Sequence, residues 1–183
     1  IIALLPGSRK QEISAMLPIM LSSINDFPDY QFVVAGAPSQ EFALYEPFLK
    51  AGNADVIFGK TYDLLQQSEA ALVTSGTATL ETALFKLPEV VCYKGSAISY
   101  AIAKQLIKVK YISLVNLIMD REVVKELIQG ELNTVMLKDE LSKVLKGGEK
   151  RDKLQADYDE LIQKLGGAGA SEKTAQLMID NLT

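Results

Sequence analysis

The alternation of short apolar runs with longer helical patterns is the feature that most restricts the fold of this chain. Six runs rich in apolar and β-branched residues predict strands at 1–5, 31–35, 55–58, 70–73, 90–93 and 111–114. The segments between them predict helices at 11–24, 41–50, 62–68, 77–86 and 98–108. Apolar strands that alternate with helices indicate a parallel sheet covered on both faces. We therefore predict a doubly wound α/β domain, a fold that binds ligands beyond the carboxyl ends of its strands.

The last third of the chain has a different pattern. From residue 122 onward the sequence is typical of helices, with candidates at 137–145, 149–165 and 170–182. A length of 183 residues suits one domain. We predict a single domain over 1–183, with 122–183 as its helical tail. The chain begins on an apolar strand without a methionine, so we expect it to be a piece of a larger protein.

The composition argues against several classes of protein. A net charge of −4 disfavours a nucleic-acid partner, which normally requires a basic excess. The absence of histidine removes Ser-His triads and most zinc or iron sites. The single cysteine, Cys92, cannot form an internal disulfide, and its apolar neighbours predict a buried, inert thiol. No apolar run reaches the ~18 residues that a membrane-spanning helix needs.

The stretch Ser75-Gly76-Thr77-Ala78-Thr79-Leu80-Glu81 connects a predicted strand to a predicted helix. The first turn of a helix has unpaired N–H groups and a partial positive charge, so a turn of small hydroxyl residues there suits a phosphate. Glu81 follows one turn later, within reach of sugar hydroxyls beside that phosphate. The alternative is an ordinary strand-to-helix connection capped by Ser75 or Thr77.

The loop after the first strand, Pro6-Gly7-Ser8-Arg9, has an equivalent position. Pro6 and Gly7 predict a turn, and Ser8 is the predicted helix cap. Arg9 then lies at a strand end, either to bind a diphosphate with its planar guanidinium or as an ordinary surface arginine. Loops after the first and fourth strands together predict one anion site. Neither G-x-G-x-x-G nor G-x-x-x-x-G-K-[ST] is present, so the residues alone lead only to a phosphate-bearing ligand.

Four motifs, in this order and spacing, resemble the lipid-A-disaccharide synthase family. They are L-L-P-G-S-R-K-Q-E-I at 4–13, S-G-T-A-T-L-E at 75–81, L-V-N-L-I at 114–118 and E-L-I-Q at 126–129. The sequence L-G-G-A-G-A-S-E at 165–172 is similar to that family's tail. One departure is Val115, where the family usually has proline, and this change loosens the loop before Asn116.

The resemblance implies a GT-B glycosyltransferase, in which two Rossmann-like domains face a cleft. This chain is similar to the C-terminal domain, which binds the nucleotide sugar. The family transfers 2,3-diacylglucosamine from UDP-2,3-diacylglucosamine to 2,3-diacylglucosamine 1-phosphate (lipid X), forming the lipid A disaccharide of lipopolysaccharide and UDP. It uses no metal or other cofactor. It works in the cytoplasm, peripherally at the inner membrane of Gram-negative bacteria.

The resemblance also implies which residues bind the UDP-sugar. Arg9 matches the arginine near the donor pyrophosphate, and Glu81 has the position that binds ribose hydroxyls in GT-B relatives. The other matches are Ser75, Gly76, Thr77 and Thr79 in the phosphate turn, Asn116 in the L-P-N motif, and Glu126 and Gln129 in the E-L-x-Q segment. No catalytic residue is expected here, because the resemblance places the general base in an N-terminal domain. We therefore predict that this segment alone is inactive.

Two other interpretations remain open at this point. One is another GT-B enzyme such as a UDP-N-acetylglucosamine 2-epimerase, although the lack of histidine and the L-V-N-L-I and E-L-I-Q segments disfavour it. The other is a non-catalytic, flavodoxin-like binding module.

The expected partners follow from the resemblance. They are the UDP-diacylglucosamine donor, lipid X bound through the N-terminal domain, and a second copy in a homodimer. The lysine-rich stretch 97–111, with Lys104 and Lys108, predicts either a helix that contacts anionic lipid or one that only covers the sheet.

Overall fold

A six-stranded parallel sheet forms the centre of the computed structural model, which describes residues 1–95, 110–166 and 169–180. The strands are β1 (Ile2–Leu5), β2 (Phe32–Gly36), β3 (Asp55–Phe58), β4 (Ala70–Thr74), β5 (Glu89–Tyr93) and β6 (Lys125–Ile128). Their order across the sheet is β3-β2-β1-β4-β5-β6. This is the Rossmann order, in which the winding of the chain reverses between β1 and β4. The predicted doubly wound α/β fold is confirmed.

Helices follow the strands along the chain. They are α1 (Lys10–Leu21), α2 (Phe42–Gly52), α3 (Thr61–Gln67), α4 (Thr77–Leu84), α5 (Leu114–Met119), α6 (Thr134–Val144), α7 (Arg151–Leu165) and α8 (Ala170–Asp180). The helices predicted between the first five strands, and those predicted after residue 134, are confirmed within a few residues at their ends. Short 3-10 turns at Ile24–Asp26 and Gln129–Glu131 complete the described helical structure.

Alternate side chains of the strands enter two hydrophobic clusters, one on each face of the sheet. Ile2 and Leu4 belong to the larger cluster, and Ala3 and Leu5 to the smaller one. All four are buried, because β1 is central and has helices on both sides. Cys92 lies fully buried in the larger cluster, and burial raises the pKa of its thiol. The prediction of a buried thiol is confirmed.

Two expectations about the later part of the chain are wrong. Residues 111–113 form a bend before α5, not a strand. The sixth strand is instead β6, inside the segment expected to be helical throughout, and it pairs with β5 so that Glu126 lies opposite Val91. Two of its four residues are charged, so it lacks the apolar run by which the other strands are found.

The predicted helix at 98–108, with Lys104 and Lys108, lies outside the described residues. Among the residues that the structure does describe, no helix is both long and apolar enough to cross a membrane.

Candidate functional site

A cleft of about 410 Å³ lies at the carboxyl ends of β1 and β4. Because the winding reverses between these strands, the loops that follow them diverge to opposite faces and leave a crevice. The cleft is lined by the loops after β1, β2 and β4 and by the adjoining ends of strands and helices. Its lining residues include Gly7, Ser8, Arg9, Glu12, Gly36, Ala37, Pro38, Thr74, Ser75, Gly76, Thr77 and Ala78. The two loops that the sequence predicted to share an anion site therefore meet.

The turn between β4 and α4 has a backbone conformation that requires glycine. Gly76 has φ +151° and ψ −162°, a region that is essentially restricted to glycine. A Cβ atom built there would meet nothing within 4 Å, so the requirement comes from the backbone and not from space. Gly76 is the N-cap of α4 and has no side chain. The expectation that Ser75 or Thr77 caps this helix in an ordinary connection is therefore wrong about the capping residue.

The N-terminus of α4 is open to the cleft. In the described part of the chain, the backbone N–H groups of Thr77 and Ala78 have no hydrogen-bond acceptor. Both residues line the cleft. Unpaired N–H groups and the partial positive charge of a helix N-terminus together favour an anion.

Thr74, the last residue of β4, is a candidate that sequence reasoning missed. It is only 8% exposed, and its hydroxyl has no hydrogen-bond partner among the described residues. It also lines the cleft. An unpaired buried hydroxyl costs roughly 1–3 kcal/mol, so a ligand that accepts its hydrogen bond would remove that cost. The available signal was a hydroxyl residue at the carboxyl end of an otherwise apolar strand.

The N-terminus of α1, on the other side of the cleft, is already occupied by a side chain. Oε2 of Glu12 accepts hydrogen bonds from the backbone N–H groups of Ser8 and Arg9, each at 3.2 Å. Gly7, with φ +103°, leaves room for this carboxylate, because a Cβ atom there would lie 2.6 Å from Oε2. The N-cap is Arg9, so the expectation that Ser8 caps this helix is wrong. An anion that enters the cleft finds α1 occupied and α4 open.

Arg9 lies at the mouth of the cleft with its side chain 82% exposed. Its Nη1 donates to Oε1 of Glu12 at 3.0 Å. An exposed ion pair of this kind contributes only ~0–1 kcal/mol. The guanidinium is therefore held near the cleft and can leave Glu12 for a stronger partner at little cost.

Ser75 and Thr79 use their hydroxyls to shape the turn. Ser75 donates to the carbonyl of Ile112 at 2.8 Å, and the fully buried Thr79 donates to the carbonyl of Gly76 at 2.8 Å. The side chain of Thr77 is exposed at the cleft. Ser75 also lines the cleft, but its hydroxyl proton is already donated to Ile112.

Glu81 lines a neighbouring cleft of about 440 Å³. That cleft also contains Lys60, Tyr62 and Asp63. The two clefts share Pro38 and Thr61, so they are adjacent. A ligand with its phosphates at α4 can extend from the first cleft into the second.

Asn116 and Glu126 lie together but inside the protein. Glu126 accepts hydrogen bonds from the N–H groups of Ile112 and Ser113, the hydroxyl of Ser113 and the amide of Asn116, at 2.7–3.2 Å. The Asn116 amide also donates to the carbonyl of Val124, and its oxygen accepts two backbone N–H groups. Both side chains are buried, and their polar groups bond to protein partners.

Gln129 lies in the 3-10 turn after β6, with φ +53°. Its Nε2 donates to the carbonyl of Gly95 at 3.3 Å, which ties the end of β6 to the chain after β5. It does not line the cleft between β1 and β4 as far as the described residues define that cleft.

One buried acid lies away from the cleft, at the amino end of β5. Glu89 is fully buried, and in the described part of the protein neither of its carboxyl oxygens has a hydrogen-bond partner. Burial raises the pKa of this carboxyl well above its usual value. Within the same described ranges, no group of three or more metal-binding side chains lies together.

Comparisons with known proteins agree with the motifs. A family model described as lipid-A-disaccharide synthetase matches residues 1–180. The lipid-A-disaccharide synthase of Syntrophus aciditrophicus is 40% identical over 97% of this chain and 48% of its own length. The enzyme of the same name from Geobacter sulfurreducens is 34% identical over 100% of this chain and 49% of its own length.

A third relative, from Psychromonas ingrahamii, is 44% identical over 70% of this chain and 36% of its own length. The chain thus spans about half the length of the first relatives it matches, 48–49%. The match to the family model covers every residue of the six strands and of the cleft. This chain belongs to the lipid-A-disaccharide synthase family.

Proposed function

We propose that this chain is the nucleotide-sugar-binding half of a lipid-A-disaccharide synthase and that its cleft holds the diphosphate of UDP-2,3-diacylglucosamine. One observation carries the proposal: two sets of groups without a hydrogen-bond partner among the described residues line the same cleft. They are the N–H groups at the N-terminus of α4 and the hydroxyl of Thr74. Family membership favours this function over the epimerase and the binding module.

The chemistry of glycosyl transfer explains why such groups are needed. When the bond between the sugar and UDP breaks, negative charge grows on the leaving diphosphate. In this proposal the N–H groups of Thr77 and Ala78 and the hydroxyl of Thr74 donate to the phosphate oxygens, and Arg9 exchanges Glu12 for the diphosphate. Preorganised donors of this kind stabilise charge where it develops in the transition state, without a metal.

The remaining predicted residues take two roles in this proposal. Glu81, in the adjacent cleft, binds the ribose hydroxyls. Ser75, Gly76 and Thr79 shape the phosphate turn.

The other half of the enzyme has an equal part in the proposed reaction. It binds lipid X and supplies the general base, so this chain alone does not catalyse the transfer. A homodimer and peripheral contact with the cytoplasmic face of the inner membrane are further proposals that come from the family resemblance.

Calorimetric titration with UDP and with ADP tests the proposed site. Both the unchanged protein and an Arg9→Ala variant are titrated. We expect UDP to bind more tightly than ADP. Loss of a charge-assisted contact costs roughly 1.5–3 kcal/mol, so Arg9→Ala should weaken UDP binding about ten- to a hundredfold. Arg121→Ala is the matched control. Arg121 lies away from the cleft, where its guanidinium pairs with Asp157 at an N–O distance of 2.8 Å.

The titration should be made on this chain and on a protein that contains both halves. Binding only in the two-half protein, still weakened by Arg9→Ala, would show that the site needs both halves. A two-half protein that does not bind UDP, or that binds it equally with and without Arg9, would contradict the proposal.

A further inference from the structure

We infer that Glu126 is a positioning residue for the phosphate turn, acting through Ile112 and Ser75 rather than by contact with the ligand. This inference rests on the proposed diphosphate site. It adds how the turn that forms the site is held in place.

The carboxylate of Glu126 is held inside the protein by backbone and side-chain donors. It is 7% exposed and accepts hydrogen bonds from Ile112 N–H at 3.0 and 3.2 Å, from Ser113 N–H at 2.9 Å and from the Ser113 hydroxyl at 2.7 Å. The Asn116 amide adds a fifth contact at 2.9 Å. Four of these five contacts fall on Oε1, and within the described part of the chain Oε2 accepts only the N–H of Ile112. Glu126 is buried and is not among the described residues that line the cleft, so its effect on a ligand there passes through the protein.

Ile112 connects this cluster to the cleft. Glu126 fixes its N–H group, and its carbonyl oxygen accepts the hydroxyl of Ser75 at 2.8 Å. Ser75 comes directly before Gly76, which begins α4. The backbone N–H of Ser75 is bonded to the carbonyl of Cys92 at 3.3 Å, whereas its hydroxyl is bonded to Ile112. Ile112 therefore fixes the side chain of Ser75.

Asn116 holds the same cluster from the other side. Its amide joins Glu126 to the carbonyl of Val124, just before β6, and the hydroxyl of Ser113 accepts the backbone N–H of Asn116 at the start of α5. Two of the four motifs noted in the sequence, L-V-N-L-I and E-L-I-Q, therefore supply residues that bond to each other. Their joint effect is to place residues 111–113 against the phosphate turn.

The consequence is a specific form of non-additivity. If Glu126 acts through Ser75, its replacement matters only while the Ser75 hydroxyl is present. Residues in one hydrogen-bond network show interaction terms of this kind, whereas independent residues have additive effects.

A double-mutant cycle for UDP affinity tests this in a protein that contains both halves. We expect Glu126→Gln and Ser75→Ala each to weaken UDP binding about three- to tenfold. The double variant should bind UDP as tightly as the single variant with the lower affinity. Asn133→Ala is the control, because Asn133 caps α6 through the N–H of Met136 at 3.1 Å, away from the cleft. It should lower the melting temperature and leave UDP affinity unchanged.

Two results would overturn the inference while the proposed function stands. One is a double variant whose loss equals the product of the two single losses. The other is a Glu126→Gln variant with unchanged UDP affinity and a lower melting temperature, which would make its role purely structural. If Glu126→Gln does not fold, Ser113→Ala removes only the two contacts of the Ser113 hydroxyl, to Glu126 and to the N–H of Asn116, and is expected to show the same coupling to Ser75→Ala.

A second readout does not depend on UDP binding. The N–H groups of Ser75 and Thr79 are bonded to the carbonyls of Cys92 and Gly76. Amide hydrogen exchange at Ser75 and Thr79 should be at least about tenfold faster in Glu126→Gln than in Asn133→Ala at equal distance below the melting temperature. Equal exchange rates would contradict the positioning role, even if wild-type protein bound no UDP and the proposed function had failed.

Discussion

Replacing Thr74 by valine should change ligand binding and stability in opposite directions. The hydroxyl of Thr74 is buried at the cleft and has no partner among the described residues. Valine has nearly the same shape, so the substitution removes the hydroxyl and leaves the packing in place. If the hydroxyl donates its hydrogen bond only to a ligand, the unliganded protein is more stable without the hydroxyl.

The expected magnitudes follow from the burial of that hydroxyl. An unpaired buried hydroxyl costs roughly 1–3 kcal/mol, so the free energy of unfolding should rise by up to this amount. In a domain of this size each kcal/mol corresponds to about 2–4 °C in melting temperature. A hydrogen bond to a charged phosphate oxygen contributes roughly 1.5–3 kcal/mol, so UDP affinity should fall about ten- to a hundredfold.

The assay combines thermal unfolding without ligand and calorimetric titration with UDP. Thr82→Val is the matched control, because Thr82 is also buried but its hydroxyl donates to the carbonyl of Ala78 at 2.8 Å inside α4. The control should lower the melting temperature and leave UDP affinity unchanged. A Thr74→Val variant with a lower melting temperature and unchanged UDP affinity would refute the reasoning, since the hydroxyl would then act within the fold.

Three further substitutions test other parts of the account. Gly76→Ala places a side chain at φ +151° and should cost about 1–3 kcal/mol in unfolding free energy, with weaker UDP binding. Gly130→Ala, which also meets no atom within 4 Å, is the control in thermal unfolding. Glu12→Gln removes a negative charge from the cleft, so the variant should bind UDP more tightly than the unchanged protein at low salt. The gain in affinity should shrink as salt is added. Equal UDP affinity of the two proteins at low salt would contradict this. Burial raises the pKa of Glu89 above its ordinary value of 4.5, so the folded state keeps a proton that the unfolded state loses. Stability should therefore fall as pH rises above 4.5, by up to about 1.4 kcal/mol per pH unit, and urea unfolding of Glu89→Gln should lack this slope.

The fold was largely predictable because its central strands are buried on both faces. Ile2–Leu5 and Ala70–Thr74 are apolar almost throughout, and such runs between helices indicate a parallel sheet. Lys125–Ile128 was not predictable in the same way. Its Glu126 is buried only because distant donors at residues 112, 113 and 116 satisfy its carboxylate, and no local pattern reveals those contacts.

The site was predictable in position but not in detail. Loops after the first and fourth strands had to meet if the sheet was doubly wound, which located Arg9 and Gly76 at one edge. That Glu12 fills one helix N-terminus while the other stays open depends on side-chain geometry. The prediction that Asn116 binds the ligand also lacked side-chain geometry. A motif shows which residues occur together, and it does not show whether they face a ligand or each other.

The most direct test of the central claim is to locate bound UDP on the backbone of the protein. Amide chemical shifts of a labelled protein containing both halves should be followed during titration with UDP. The account predicts that the largest changes occur at Gly76, Thr77 and Ala78. Saturating UDP that leaves these amides unchanged, or that mainly shifts the amides of another cavity, such as those of Leu21 and Phe48, would contradict it.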